Sequence, residues 1–260
     1  MRHLTRLVAL AIAVVALAMV LGACNGSEEA EPTALPSPRA LLTDATNQIQ
    51  TATSFAIEIS VSGLPVYIRV GAEVLSEEIP LVFEYARGTY VTPDQLRASI
   101  DIRVGDAVAR TELVALGADQ YMRSDLLTQG NWVQEQIISG FSPADLMAAD
   151  TGIPSALSKV RALEMVEQTD LDGLPVYHLT GAIGAQDVHS LTFGLMGTRE
   201  GEMKLDLYIL VDGHWLERLI LHEPLPNGAE EDVEPTRWTI NVLDYNEDVT
   251  IATPELGEQG

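Results

Sequence analysis

Most of the chain from residue 55 onwards alternates apolar and polar residues, which is the pattern of a β-strand with one buried face. In "FAIEISVSG" (55–63), every second residue from Phe55 to Val61 is apolar. Nine further segments show similar runs, at 79–86, 96–104, 107–117, 119–124, 162–170, 174–183, 203–213, 215–225 and 236–246. The sequence therefore predicts about ten strands.

Three segments show helical spacing instead. In 38–52, apolar residues recur every three or four positions, Ser37 can cap the helix, and Pro38 suits its first turn. Residues 143–160 contain two short helical pieces that each begin beside a proline, and 185–196 form a further helical patch. We expect these helices to cover part of the apolar face of the sheet.

Strands that follow one another directly along a chain are typical of an antiparallel sheet. We therefore predict an α+β fold: a strongly curved antiparallel β-sheet, or half-open barrel, with helices packed on its concave face. A bound apolar ligand could cover the rest of that face. The pattern does not separate such a cavity from a core filled by side chains, because both require Val, Leu and Ile.

The first 23 residues have the organisation of a secretory signal peptide. Arg2 and Arg6 precede a run without Asp, Glu, Lys or Arg that extends from Leu7 to Ala23. A plain transmembrane anchor is the less favoured interpretation, because this run is near the lower length limit for spanning a bilayer and no basic residue directly follows it.

Cys24 is the only cysteine of the chain, and it directly follows this apolar run. The residues Leu21-Gly22-Ala23-Cys24 resemble the bacterial lipobox, whose cysteine thiol receives a diacylglyceryl group. The alternatives are an ordinary cleavage site, which Leu21 suits poorly, or an idle thiol. We predict a lipidated Cys24, a flexible tether over 24–38 that is rich in Pro and Glu, and attachment to the extracytoplasmic face of the cell membrane.

The chain is strongly acidic, with a formal net charge of −23. Removal of residues 1–23 deletes two arginines and no acid, which leaves the mature side chains at −25. Such a surface repels phosphate backbones, so nucleic acid is excluded as a partner. The segment "TDLDGLPVY" (169–177) resembles a calcium loop but lacks the distal Glu, and it is better interpreted as a hairpin turn.

No enzyme motif is present: the sequence has no G-x-S-x-G elbow, no glycine-rich phosphate loop and no H-E-x-x-H. One cluster, "DGHWLERLILHE" (212–223), contains His214 and His222. On one straight strand these two residues would lie about 26 Å apart, too far to share a metal ion. We therefore expect no catalytic residue, no metal site and no cofactor, and we interpret both histidines as outward or rim residues.

Residues 39–255 resemble the LppX/LprAFG family of lipoproteins, which share the half-barrel fold of the lipoprotein carriers LolA and LolB. The resemblance lies in "ALLTDATNQIQTATSFAIEISVSGLPV", "GFSPADLMAADTGIPSALSKVRALEMVEQTDLDGLPVYHLTGAI", "LDLYILVDGHWLERLILHE" and "WTINVLDYNEDVTIATPE". It implies a lipid-binding domain over 39–255, followed by a short tail at 256–260. It also implies an acylated lipid or glycolipid as ligand, carried across the cell envelope, and an envelope transporter as a possible partner. An envelope sensor or docking module with the same fold is the alternative.

An acyl-chain cavity would be lined by the apolar residues that face the concave side of the sheet. Each of these residues could instead pack in an ordinary protein core. The candidates from the strands are Ile57, Ile59, Val61, Leu113, Leu207, Ile209, Leu219, Leu221, Ile240 and Val242. The candidates from the helical segments are Leu146, Met147, Leu157, Val188 and Leu191.

Overall fold

The computed structural model describes residues 35–68, 81–136, 142–192, 201–225 and 233–257. The predicted signal peptide, Cys24, most of the tether and residues 226–232 of the acidic loop lie outside the described residues. The chain divides after Pro36 into two units, and the described residues belong almost entirely to the second, Ser37–Gly260.

One antiparallel sheet of twelve strands forms this unit. The strands are β1 Ser54–Ser62, β2 Val66–Ile68, β3 Leu81–Val91, β4 Gln95–Val104, β5 Ala107–Leu116, β6 Asp119–Ser124, β7 Val133–Gln134, β8 Arg161–Leu171, β9 Leu174–Gly184, β10 Glu202–Leu210, β11 Leu216–His222 and β12 Arg237–Leu243. Their spatial order is β7-β6-β5-β4-β3-β1-β12-β11-β10-β9-β8, with β2 beside β3, so the curved sheet does not close.

The fold class predicted from the alternating pattern is confirmed, and each of the ten predicted strands is present. The sequence analysis missed β2 and β7. These strands have three and two residues, which is too short for an alternation of apolar and polar positions to be visible.

Two α-helices lie among the described residues: α1, Pro38–Thr51, and α2, Ile153–Ser158. The Ser37 side chain caps α1 by accepting a hydrogen bond from the Ala40 N–H. Its buried residues, Leu41, Leu42, Ala45 and Ile49, form one stripe along the helix. The other piece of the predicted segment 143–160 is a 3₁₀ helix, Pro143–Met147, with a capping box at Ser142.

The predicted helix at 185–196 is wrong over its described part. Only a 3₁₀ turn, Ala185–Asp187, forms there; turns follow as far as Thr192, and residues 193–196 lie outside the described chain. Val188, His189 and Thr192 have low helix propensity. The buried side chains Val188 and Leu191, which suggested a helix by their spacing, reach the core from these turns.

The two ends of the sheet differ in their connections. At one end, here called the turn end, short turns join β3 to β4, β5 to β6, β8 to β9 and β10 to β11. The β8–β9 turn is the predicted hairpin, with positive φ at Asp172 and Gly173. The opposite end, here called the Ser37 end, contains the start of α1, because Arg39 donates to the Val160 carbonyl just before β8 begins there.

Candidate functional site

The inner face of β1 and β8–β12 is filled by side chains. Helix α1 lies over this part of the sheet and contacts β8, β10, β11 and α2. Leu205, Leu207 and Leu221 are completely buried beneath it. We call this part of the sheet, together with α1 and α2, the packed half. Each large aliphatic side chain buried there stabilises the fold by about 1.5–3 kcal/mol.

Most of the predicted lining residues belong to this packed core. Twelve of them are at most 5% exposed and form one cluster: Ile57, Ile59, Leu146, Leu157, Val188, Leu191, Leu207, Ile209, Leu219, Leu221, Ile240 and Val242. Val61 and Met147 pack against the cluster but remain partly accessible. The structure therefore brings fourteen of the fifteen candidates together, in a region already occupied by protein atoms.

The fifteenth candidate, Leu113, lies on the inner face of a different part of the sheet. Strands β4, β5 and β6, here called the wing, continue the sheet beyond β3. Leu113 is half-buried, and its direct cross-strand neighbours are Ala98 on β4 and Met122 on β6. Both neighbours are also half-buried, so this row is apolar and still partly open to solvent.

The open row continues along β4. Leu96 and Ile100 share the inner face with Ala98, are half-buried, and pack against the edge of the main core. The 3₁₀ helix Pro143–Met147 contacts β4 from the same side. Neither α1 nor α2 makes more than marginal contact with the wing, whose inner apolar face they leave uncovered.

Two hydroxyl groups interrupt this apolar surface. Thr111 and Ser124 are directly paired across β5 and β6, and both side chains are buried. Ser124 Oγ has no hydrogen-bond partner among the described residues. An unsatisfied buried hydroxyl is uncommon and can donate a hydrogen bond to an incoming acceptor, such as an ester oxygen.

Except for Val108 near the Ser37 end, which is 61% exposed, the outer face of the wing is polar or already covered. Arg110 forms a two-pronged ion pair with Asp101 at 2.7 and 2.8 Å, and Arg123 pairs with Glu112. The hydrogen bonds from Arg110 hold the pKa of Asp101 below its usual value, even though burial raises it. Ile251, from the segment after β12, packs on this face in a small apolar cluster. A contiguous apolar row is therefore accessible on the inner face rather than on the outer one.

A surface pocket of about 420 Å³ lies at the turn end, between α1 and the β10–β11 turn. It is lined by Asp44, Asn47, Gln48, Thr51, Gly213 and His214. His214 Nδ1 lies 2.9 Å from Asp44 Oδ2, and Gln48 donates to the Gly213 carbonyl at 2.8 Å. These polar groups do not suit a hydrocarbon chain.

His214 and His222 do not lie on one straight strand, so the distance of about 26 Å estimated from the sequence does not apply. His214 has a positive φ of 54° and lies in the β10–β11 turn, where Gly213 precedes it. His222 is on β11 and faces outward, with its Nε2 at 2.6 Å from Asp206 Oδ2. His178 Nε2 lies 2.9 Å from the other oxygen of the same carboxylate.

Two acids of the 212–223 segment, Glu217 and Glu223, lie in different environments and do not join the histidines in one site. Glu223 is 3% exposed and accepts a hydrogen bond from Trp238 Nε1 at 2.6 Å. Burial raises the pKa of Glu217, which is half-buried on β11. Within the described parts of the chain, no three His, Cys, Asp or Glu side chains are grouped as a metal site requires.

The sequence analysis counted the wing strands but did not select their inner residues Ala98, Ile100 and Met122. Alternation in 96–104 indicated that one face is apolar. Whether a helix covers that face depends on where α1 and α2 pack, and no local pattern contains that information.

Comparison with known proteins identifies relatives of this fold. LprF from Mycobacterium bovis superposes with a TM-score of 0.61 at 18% identity, over 85% of this chain and 99% of that one. LppX from Mycobacterium tuberculosis gives a TM-score of 0.52 at 18% identity, over 83% of this chain and 100% of that one. At this identity the two structures show a shared fold. Comparison with curated proteins finds no significant match.

The profile of the LppX_LprAFG lipoprotein family matches residues 37–251, which is most of the chain and nearly all of the unit that begins at Ser37. Membership of a lipoprotein family implies a membrane-anchored extracytoplasmic protein. No helix of the described residues is sufficiently long and apolar to cross a bilayer. By this match, the resemblance noted from the sequence is confirmed, and the chain belongs to the LppX_LprAFG lipoprotein family.

Proposed function

We propose that this protein is a lipid carrier, anchored through acylated Cys24, that holds the acyl chain of a lipid or glycolipid on the inner face of the wing and assists its transfer across the cell envelope. The observation that carries the proposal is the unequal filling of the two parts of the sheet. Side chains fill the packed half, whereas the row formed by Ala98, Leu113 and Met122 is apolar and only partly buried.

A hydrocarbon chain could supply the apolar contacts that protein side chains do not provide to this row. Each methylene group moved from water onto an apolar surface contributes about 0.8 kcal/mol, so ten of them contribute about 8 kcal/mol before the cost of ordering the chain. Apolar contact of this kind requires few polar groups, which agrees with the small number of polar side chains on this inner face, namely Thr111, Gln120 and Ser124.

The twelve fully buried candidates are harder to reach. A ligand in contact with Leu207 or Leu219 would first have to displace α1 or neighbouring core side chains, because both residues are at most 1% exposed. Among the predicted residues, we therefore favour Leu113 as a direct contact. Val61 and Met147, which pack against the core cluster but remain partly accessible, are the next candidates.

Solvent extraction of the gently purified protein, followed by mass spectrometry, tests the proposal. We expect about one co-purified lipid per chain. A carboxylate on the apolar row opposes acyl-chain binding, since burial of an unpaired charge is unfavourable. Leu113→Asp and Met122→Asp are therefore each expected to lower the amount of bound lipid at least fivefold.

Val166→Asp is the matched control, because Val166 is 51% exposed on the edge strand β8 and lies far along the sheet from the wing. Its lipid content is expected to equal that of the wild type. Thermal unfolding followed by circular dichroism shows whether each variant is folded. Folded wild-type protein without stoichiometric lipid would contradict the carrier function and favour an envelope sensor or docking module. An equal amount of bound lipid in all variants would contradict the placement of the lipid on the inner face of the wing.

A further inference from the structure

The inner face of the wing and of the adjoining strand β3 contains a depression. The register places Gly88, Ala98, Leu113 and Met122 in one row across β3, β4, β5 and β6. Gly88 has no side chain and Ala98 has only a methyl group, so the backbone of β3 and β4 forms the floor at these two positions. Both residues remain partly accessible, which indicates that the described parts of the chain do not fill this space. We call the depression over Gly88 and Ala98 the notch.

Larger side chains border the notch. Leu96 and Ile100 flank it along β4. Ile57 of β1, which is paired with Gly88, closes it towards the packed half, because Ile57 is buried in the main core. Towards β6 the row continues over Leu113, which is still partly accessible. A hydrocarbon chain that enters across β6 would therefore end in the notch.

A buried hydroxyl lies at the β6 end of this surface. Ser124 follows Met122 on the same face of β6, is 2% exposed, and its Oγ has no hydrogen-bond partner among the described residues. Its direct neighbour across the strand pair is the buried Thr111. A buried hydroxyl without a partner is uncommon, because it has lost its hydrogen bonds to water. An acceptor atom of a bound ligand would satisfy Ser124.

The chemistry of the face selects a neutral acceptor. The inner side chains of β4, β5 and β6 include no Lys, Arg, His, Asp or Glu. A carboxylate buried here would have no cationic partner, which is unfavourable. An ester carbonyl oxygen is neutral and can accept a hydrogen bond from the Ser124 hydroxyl. An esterified acyl chain therefore suits this face better than a free fatty acid does.

The separation between Ser124 and the notch defines a length. Strands β6 and β3 are three strand spacings apart, or about 14 Å. With carbon–carbon bonds of about 1.5 Å, an extended acyl chain advances by about 1.3 Å per methylene group, so roughly eleven methylene groups cover this distance.

We propose that the wing binds an esterified acyl chain in one direction, with the ester carbonyl at Ser124 Oγ and the terminal methyl group in the notch. Gly88 and Ala98 then determine the longest chain that fits, and the headgroup lies on the β6 side of the wing. This inference rests on the carrier function proposed above, and it adds the chemical class and the limiting chain length of the ligand.

Competition among chain lengths tests the notch. The full-length protein is incubated with phosphatidylcholine vesicles that contain equal amounts of monoacylglycerols with chains of about eight to eighteen carbons, purified again and extracted for mass spectrometry. In the wild type, enrichment over the vesicle composition is expected to be constant up to about twelve carbons. It then falls by up to about fourfold for each methylene group left in water. Gly88→Leu and Ala98→Leu add four and three carbon atoms to the notch, so each is expected to lower the limit by about three to four carbons.

Ser99→Leu is the matched control, because Ser99 lies beside Ala98 on β4 and is paired with Glu112 on the outer face. It is expected to keep the wild-type limit. A Cβ atom on Gly88 would lie 3.2 Å from the Arg97 carbonyl oxygen, so circular dichroism must show that Gly88→Leu is folded. Ala98→Leu decides the question if it is not. A wild type without a length limit, or a folded Ala98→Leu variant with the wild-type limit, would overturn the proposal.

Ether analogues test the contact at Ser124. An alkylglycerol of the same chain length lacks the carbonyl oxygen, so the wild type is expected to enrich the ester at least threefold over the ether. In Ser124→Ala this preference is expected to disappear, whereas Ser99→Ala is expected to retain it. The fatty-acid anion of the same length is expected to be enriched less than the ester. An ester preference that persists in Ser124→Ala, or equal enrichment of ester, ether and anion in the wild type, would overturn the assignment.

The lipid extracted from the protein as first purified separates this inference from the carrier function. Absence of both co-purified lipid and bound monoacylglycerol would contradict the carrier function. Monoacylglycerol binding without a length limit or an ester preference would leave the carrier function intact and overturn this inference. Co-purified lipid without any bound monoacylglycerol would overturn it as well.

Discussion

Asp206 connects three neighbouring strands through its two carboxylate oxygens. It lies on β10 and contacts His178 on β9 and His222 on β11. Burial raises the pKa of Asp206, but the hydrogen bonds and charges of the two histidines together bring it below the usual value. The folded state therefore favours the ionised carboxylate, and this side chain stabilises the outer face of the packed half.

We predict that Asp206→Asn lowers the free energy of unfolding by about 1–2 kcal/mol at pH 7, because it weakens two hydrogen bonds that are partly screened by solvent. A folded-state pKa below the unfolded one stabilises the protein above about pH 4, and this stabilisation is lost as the pH falls through the folded value. The difference between variant and wild type is therefore expected to shrink below about pH 4.

Urea unfolding at several pH values measures this effect. Asp212→Asn is the control, since Asp212 is exposed in the β10–β11 turn. It is expected to change stability by less than about 0.5 kcal/mol. An Asp206→Asn variant as stable as the Asp212→Asn variant at pH 7 would show that the two histidine contacts contribute nothing.

Gly63 and Gly105 both have positive φ, but only at Gly63 would an added side chain also collide with another part of the chain. A Cβ atom on Gly63 would lie 2.2 Å from the Pro235 carbonyl oxygen, whereas one on Gly105 would meet no atom within 4 Å. The φ angles are +85° and +61°. We predict that Gly105→Ala costs about 1 kcal/mol from strain, and that Gly63→Ala costs at least about 2 kcal/mol more. Equal losses in thermal or urea unfolding would show that the chain near Pro235 moves away without cost.

At the scale of elements, α1 determines which part of the sheet is filled. Its buried stripe includes Leu42, which is 1% exposed, while Gln50 on the same helix is exposed. The helix begins at the Ser37 cap and runs over β10 and β11 towards the turn end. Its position explains why the packed half needs no ligand for its stability and why the wing still presents apolar surface.

Truncation of Leu42 tests this function of α1. We predict that Leu42→Ala lowers the free energy of unfolding by about 2–5 kcal/mol, because it leaves a cavity between the helix and the sheet. Gln50→Ala is expected to change it by less than about 0.5 kcal/mol. Chemical denaturation measures both variants, and a loss below about 1 kcal/mol for Leu42→Ala would indicate that α1 packs only loosely on the sheet.

The elements were predictable to different degrees, for physical reasons. Helix α1 and the longer strands have a cap or a sustained alternation, which are local signals. The segment after Gly184 has helical spacing at Val188 and Leu191 but not the propensity for a helix. In strands β2 and β7, pairing with longer neighbours determines the conformation, and a sequence of two or three residues contains no sign of it.

At the scale of the whole molecule, the chain combines a filled half and an open wing in one sheet. The sequence predicted the curved sheet and its apolar inner face, since both follow from strand order and alternation. The sequence could not show which part of that face is covered by protein and which part is open to a ligand. Leu113 and Leu207 occupy equivalent places in the alternating patterns of their strands. Only the packing of α1 distinguishes the two residues.

The most direct test of this account is nuclear magnetic resonance of the methyl-labelled protein with bound lipid. Intermolecular contacts from acyl-chain protons are expected at the methyl groups of Leu113, Met122 and Ile100, and absent at Leu179 and Leu207 in the packed half. Contacts at Leu179 and Leu207 without any in the wing would contradict the account, and so would a lipid that contacts neither set.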